Sequence, residues 1–265
     1  MDFTVIIGIV VGFGCILAAQ AMEGGNVGQL LQVTAFMIVA GGTLGAVIAS
    51  FPQDDLINAF KAINSIVLNG EKADYNAVIK EIIGYATKAR KEGVITLEKE
   101  AKNAKDPILK MGLEAVSDGA DPTLVRELME TKLGQMEAQA MKSFKVWEAA
   151  GGYSPTFGII GAVMGLIQVM QNLSDPSKLG AGIAVAFVAT VYGLVIANFI
   201  AIPLSTKIKV KAAEGFLAKE IIIEGILSIQ AGESPALIER KLQAFILEEA
   251  GPEKAAAGAV KEANA

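Results

Sequence analysis

The sequence predicts an all-α, polytopic membrane protein with four transmembrane helices and a helical cytoplasmic domain, and three observations carry that prediction. First, four stretches hold no charged side chain: FTVIIGIVVGFGCILAAQAM at 3–22, LLQVTAFMIVAGGTLGAVIASF at 30–51, GGYSPTFGIIGAVMGLIQVMQNL at 151–173 and GIAVAFVATVYGLVIANFIAIPL at 182–204. At about 1.5 Å per residue, the last of these reaches about 35 Å as a helix, enough to cross a hydrocarbon layer of roughly 30 Å with some tilt. Second, 52% of the 265 residues are hydrophobic and the mean hydropathy is +0.47, values foreign to an ordinary soluble domain. Third, apolar residues outside the four runs recur three and four apart, the period of a helix, and no segment shows the alternation of a strand.

The elements follow in order. Only Asp2 and no basic residue precedes the first run, so it lacks the positive leader of a cleavable signal and is expected to stay as span one. Spans one and two form a transmembrane hairpin over 1–51, and spans three and four a second over 151–204. Between them lies a helical cytoplasmic domain at 52–150, and a cytoplasmic helical tail occupies 205–265. Orientation comes from the 23 basic residues: 14 fall in 52–150, 8 follow Leu204, and only Lys178 lies between spans three and four. Both large polar segments, and with them both termini, are expected in the cytoplasm. The run TKIKVK at 206–211 is close enough to a span end to weigh most.

Within 52–150, Leu56, Phe60, Ile63 and Val67 share one helical face, and Tyr75, Ile79, Ile82 and Ala86 share another. Gly70 and Gly93 suit left-handed caps at the ends of these two helices. Asp106-Pro107 and Asp121-Pro122 each pair an N-cap acid with a proline at the first helical position. The second opens a run of nearly thirty residues that continues through Gly151 and Gly152 into span three. After Pro203 the apolar spacing extends span four, Ser234-Pro235 starts one more helix, and GPEKAAAGAVKEANA reads as a loose terminus.

Composition also excludes. The chain has no histidine and a single cysteine, Cys15 within span one, so neither a zinc or haem site nor an internal disulfide is expected, and no cofactor is implied. A formal charge of −5 without an arginine-rich face argues against nucleic acid. No nucleophile, metal or phosphate-loop constellation of an enzyme is present. The four spans carry no acid or base, which weighs against an autonomous transporter, since a proton or ion path needs a titratable or oxygen-rich site. Small residues four apart mark a packing face on every span: Gly8 and Gly12, Gly41 and Gly45, Gly161 and Gly165, Ala189 and Gly193. Thr190 either bonds the carbonyl one turn back or offers its hydroxyl to a passing cation or water. Tyr192 and Asn198 suit hydrogen bonds between helices, and Pro155 and Pro203 each free a carbonyl and permit bending.

GYSPTFGIIGAVMGLIQVM, LSDPSKLGAGIAVAFVATVYGLVIAN and FIAIPL together resemble the third and fourth membrane helices of the MotA/PomA stator subunits of the bacterial flagellar motor, in the MotA/TolQ/ExbB superfamily. KARKEGVITLEKE at 88–100 resembles that family's charged cytoplasmic motif, and the similarity runs to about residue 247. The resemblance implies a multi-pass protein of the bacterial inner membrane, a homopentamer of this chain around two copies of a MotB-like subunit that supplies the channel aspartate. It also implies ion flow converted into torque, with Thr190 and Ala162 on the ion path, Pro155 and Pro203 in conformational coupling, and Arg90 and Glu98 meeting the rotor protein FliG. Sodium-type members carry a threonine where this chain has Ala162, so one ring of hydroxyl ligands is missing and proton coupling is expected. Two alternatives are an ExbB/TolQ-type energiser, which lacks the first hairpin, and a sodium-driven stator.

Overall fold

The computed structural model describes residues 4–64 and 73–249, and every regular element among them is helical. Helix α1 (Thr4–Met22) leads through a 3-10 turn at Val27–Leu30 to α2 (Val33–Phe36) and α3 (Gly42–Ser50), which flank a π-helical segment, Met37–Gly41. Then come α4 (Gln53–Ala62), α5 (Tyr75–Glu92), a 3-10 turn at Val94–Thr96, α6 (Leu97–Asn103), α7 (Pro107–Ser117) and α8 (Pro122–Gln171). Helix α9 (Pro176–Val195), a second π segment at Ile196–Ala201, α10 (Ile202–Gln230) and α11 (Pro235–Glu249) complete the chain. Three stretches are long and apolar enough to cross a membrane, Val27–Ser50, Pro122–Gln171 and Leu179–Gln230, and Ile7–Met22 is a shorter apolar helix. The expected residues Val67 and Gly70 and the C-terminal run from 251 lie outside the described residues.

The chain forms two compact units, one from residues 1–71 with 139–211, the other from 72–138 with 212–265. The first is inverted relative to a soluble protein. Its buried residues are mostly small, among them Ala35, Ala59, Ala186, Ala189, Ala197 and Ser154, while Val10, Met37, Ile48, Leu166 and Phe187 stand more than half exposed. Hydrocarbon solvates a large apolar side chain as well as a protein interior does, so packing inside a membrane favours residues that let backbones approach.

At one edge of this unit, residues 53–62 and 139–150 join the apolar hairpins, so the unit boundary falls beyond the ends of the uncharged runs at 51 and 151. Trp147 donates its Nε1–H to the Ala59 carbonyl at 3.1 Å, Ser205 donates to the Phe144 carbonyl at 3.1 Å, and the Ser50 and Tyr153 hydroxyls meet at 3.0 Å. Amphipathic aromatics collect where one end is apolar and the other wet. This close approach corrects the expected face of α4. Ala59 and Ala62 are its fully buried residues, whereas Leu56 and Ile63 are half-buried and Phe60 is 57% exposed, its ring edge-on to Trp147 at 5.3 Å.

The second unit has a conventional core. Ile79, Ile82 and Ala86 of α5 are buried as their spacing predicts, against Leu97, Ile108, Leu113, Val125, Met129, Ile226 and Leu242. The predicted caps form: the Asp106 carboxylate accepts from the N–H groups of Ile108 and Leu109 at 2.8 and 3.2 Å, and Asp121 accepts from Thr123 at 2.8 Å. Those backbone donors hold the Asp121 carboxyl below its ordinary range. Leu113 is fully buried, so Leu113→Ala should cost about 2–5 kcal/mol. Amide hydrogen exchange on the full-length protein should show α7 opening far more readily than in the wild type.

Candidate functional site

Spans three and four meet along a seam of glycine and alanine. A methyl placed on Gly161 would lie 2.5 Å from Ala189 Cβ, and one on Gly165 would lie 2.6 Å from the Gly182 carbonyl oxygen and 2.7 Å from Ala186 N. At Gly193 a methyl would lie 2.7 Å from the Ser154 carbonyl oxygen and 3.2 Å from Pro155 Cα. The two backbones touch, and only residues without a large side chain allow it. Ser154, fully buried, spans the gap with a hydrogen bond from Oγ to the Gly193 carbonyl at 2.9 Å.

Thr190 lies on this seam. Its Cα is among the atoms nearest Gly158, and Ala162 follows Gly158 by four residues on the same face of α8. The fold thus brings Thr190 and Ala162 to one stretch of the seam, both half-buried. The Thr190 hydroxyl donates to the Ala186 carbonyl at 3.1 Å, one turn back. Its hydroxyl proton is thereby committed, and what the side chain has left is the acceptor capacity of its oxygen.

Each of the two prolines marks an irregular point in its helix. Pro155 sits inside α8, where its ring cannot supply the N–H that the Gly151 carbonyl would receive. Pro203 follows the π segment Ile196–Ala201, at whose end the Ile202 N–H reaches back five residues to the Ala197 carbonyl. That extra residue is a recognised way of accommodating a broken helical ladder. Ile202 packs on Gly151, where a methyl would lie 2.7 Å from its Cγ1. The residue whose carbonyl Pro155 leaves without a partner therefore packs against the residue preceding Pro203, and two weak points of neighbouring helices lie side by side.

The expectations for the other polar residues divide. Tyr192 bridges as predicted, its hydroxyl donating to the Leu30 carbonyl and accepting from the Gln32 N–H at 3.1 Å, at the entry to span two. Asn198 does not: its amide donates to the Leu194 carbonyl at 2.9 Å, a bond within its own helix, because the side chain points to an exposed face. Two features escaped the sequence reading. Ser154 was not singled out, and Thr43, 4% exposed, has no hydrogen-bond partner for its hydroxyl. Thr43 continues the buried stripe Ala35, Val39, Val47 at four-residue spacing, the signal by which it was findable.

In the other unit, Arg90 and Glu98 flank the turn between α5 and α6. Gly93 takes φ +88° and ψ 155°, a conformation essentially restricted to glycine. It is not the left-handed helical cap expected, since the chain must extend there before the turn at Val94–Thr96. Arg90 is exposed in the last turn of α5. Glu98 is exposed and paired with Lys102 at 2.9 Å, whose hydrogen bond holds the Glu98 carboxyl below its ordinary range and in turn raises Lys102. An ion pair between Lys88 and Glu100 ties α5 to α6, with Leu97 and Ala101 fully buried beneath. No group of three or more metal-ligating side chains occurs among the described residues.

Residues 100–221 match the MotA/TolQ/ExbB proton channel family, and residues 6–93 match the Motility protein A N-terminal family. Motility protein A of Aquifex aeolicus is 37% identical over 243 residues, 91% of this chain and 95% of that protein. Motility protein A of Helicobacter pylori is 35% identical over 246 residues, 93% of this chain and 95% of its own length. Among solved structures, C. jejuni MotAB gives a TM-score of 0.87 at 29% identity, covering 92% of this chain and 96% of that one. The flagellar MotAB stator complex from Bacillus subtilis gives 0.82 at 31% identity, covering 91% and 94%.

Proposed function

The chain belongs to the motility protein A family of the MotA/TolQ/ExbB proton channel proteins, and from that premise we propose that it is a stator subunit of a flagellar motor. It works in the inner membrane with both termini in the cytoplasm. Helix α1, 19 residues and so about 28 Å long, is the fourth span. Five copies surround two copies of a MotB-like subunit, the partner implied by the MotAB complexes that this chain resembles.

One observation carries the reading: the seam of spans three and four holds no Asp, Glu, His, Lys or Arg from 151 to 173 or from 182 to 204. A carboxyl that binds and releases the proton must therefore arrive on another polypeptide. Protonation of the partner aspartate, beside Thr190 and Ala162, changes the preferred register of the partner helix against the ring. Five positions around a two-fold partner cannot all match at once, so each neutralisation advances the ring one step. Pro155 and Pro203, at adjoining weak points, let spans three and four flex as it does.

Co-expression with a MotB-like protein lacking its plug should acidify the cytoplasm. Neither chain alone should do so, nor should the pair when the partner aspartate is replaced by Asn. A robust selective current through the isolated homomer would overturn the proposal. Ala162 offers no hydroxyl where a sodium ion would want one, so swimming speed at fixed pH should not change with external sodium. A speed that rises with sodium would reject proton coupling.

A further inference from the structure

A groove of about 660 Å³ runs between α1 and the π segment Ile196–Ala201 with the first turns of α10. Thr4, Gly8 and Ile9 form one wall, and Phe199, Ile202 and Lys207 lie on the other. It is closed towards the middle of the span. There the Phe199 ring fills the space that a side chain on Gly12 would need and packs against Phe13, centroid to centroid 5.2 Å. One turn away it is open, because nothing lies within 4 Å of a methyl placed on Gly8. At the far end the Lys207 ammonium donates to the Thr4 hydroxyl at 3.1 Å, with Thr206 beside it and Lys211 one turn on.

The groove is therefore amphiphilic along its length, apolar at Phe199, Ile9 and Ile202 and cationic with two hydroxyls at Lys207. From Asn198 to Val210 it covers twelve helical steps, about 18 Å, close to the half-thickness of a bilayer core, roughly 15 Å. In a membrane such a cleft is filled by whatever solvates the helices. An anionic headgroup is the one that a juxtamembrane lysine cluster attracts. We infer that the groove is a binding site for an anionic phospholipid, with an acyl chain along Ile9 and Ile202 and the phosphate at Lys207, Thr206 and Thr4. The occupant touches Pro203 and the π segment before it, the part of the helix with the weakest internal ladder.

The test uses the full-length chain purified with its MotB-like partner and equilibrated with equal amounts of phosphatidylglycerol and phosphatidylethanolamine. Bound lipid is then read by native mass spectrometry. Wild type should retain phosphatidylglycerol over phosphatidylethanolamine by about fivefold. Lys207→Gln should abolish that preference without disturbing assembly, and Gly8→Leu, which fills the groove and leaves the lysine in place, should lower retention of both lipids. Equal retention of the two lipids by the wild type, or undiminished retention by Gly8→Leu, would overturn the site. So would an interchain disulfide between G8C and P203C in a background lacking Cys15, because it would place a second copy of the chain where the lipid is assigned.

Discussion

Gly193→Ala should stop swimming while the chain still inserts into the membrane, and Gly45→Ala should leave swimming intact. Both glycines belong to small-residue pairs four apart and look equivalent in the sequence. The added methyl at Gly193 would lie 2.7 Å from the Ser154 carbonyl oxygen, 3.1 Å from Gly158 Cα and 3.2 Å from Pro155 Cα, whereas at Gly45 it meets nothing within 4 Å. All three contacts at Gly193 are backbone atoms, which cannot rotate away, so the helices must separate. Overpacking of this kind costs about 1–3 kcal/mol. Here it also breaks the Ser154 bond to the Gly193 carbonyl and parts the walls beside Thr190. Membrane fractionation should show normal amounts of both variants. Motility plates should then show swarm diameter collapsing only for Gly193→Ala.

The same comparison marks what the sequence could reveal. Uncharged run length reports spans because hydrocarbon excludes charge. Cap pairs such as Asp106-Pro107 report helix starts because their chemistry is local, and the face of α5 is legible because its core is large and aliphatic. Small-residue spacing reports only that a close approach is possible, and says nothing of its partner. Within this chain Gly161, Gly165, Ala189 and Gly193 are packed, while Gly8, Gly41 and Gly45 face open space. Helix α4 misled for a related reason. Its neighbour comes so near that Ala59 and Ala62 take the buried positions and the larger Phe60 is displaced outwards. Asn198 shows a third limit, since a bond within its helix and one across helices have the same sequence signature. The meeting of Gly151, one turn before Pro155, with Ile202, next to Pro203, is a tertiary fact with no local trace.

Reversing both tip charges, Arg90→Glu with Glu98→Lys, should reduce torque severely and leave ion conduction intact. Single surface pairs are worth about 0.2–1 kcal/mol, and their main effect is to steer and register a moving partner. On the proposed rotor contact, reversal replaces attraction by repulsion at two points on every copy of the chain, so the expected effect grows with the number of copies. The tip itself should remain folded. Lysine at 98 would stand four residues from Lys102, a like-charge pair that costs a helix about 0.2–0.5 kcal/mol. By contrast the turn is held by the Lys88–Glu100 ion pair and by fully buried Leu97 and Ala101. Because the hydrogen bond from Lys102 holds the Glu98 carboxyl below its ordinary range, Glu98 loses its charge only at lower pH than an ordinary glutamate, and its contribution to torque should not titrate near neutral pH. Tethered-cell rotation of the double variant, paired with wild-type and with charge-swapped FliG, separates the cases. Recovery with the swapped rotor identifies a direct contact, whereas normal torque with wild-type FliG would remove Arg90 and Glu98 from the interface and leave their charges to solvent.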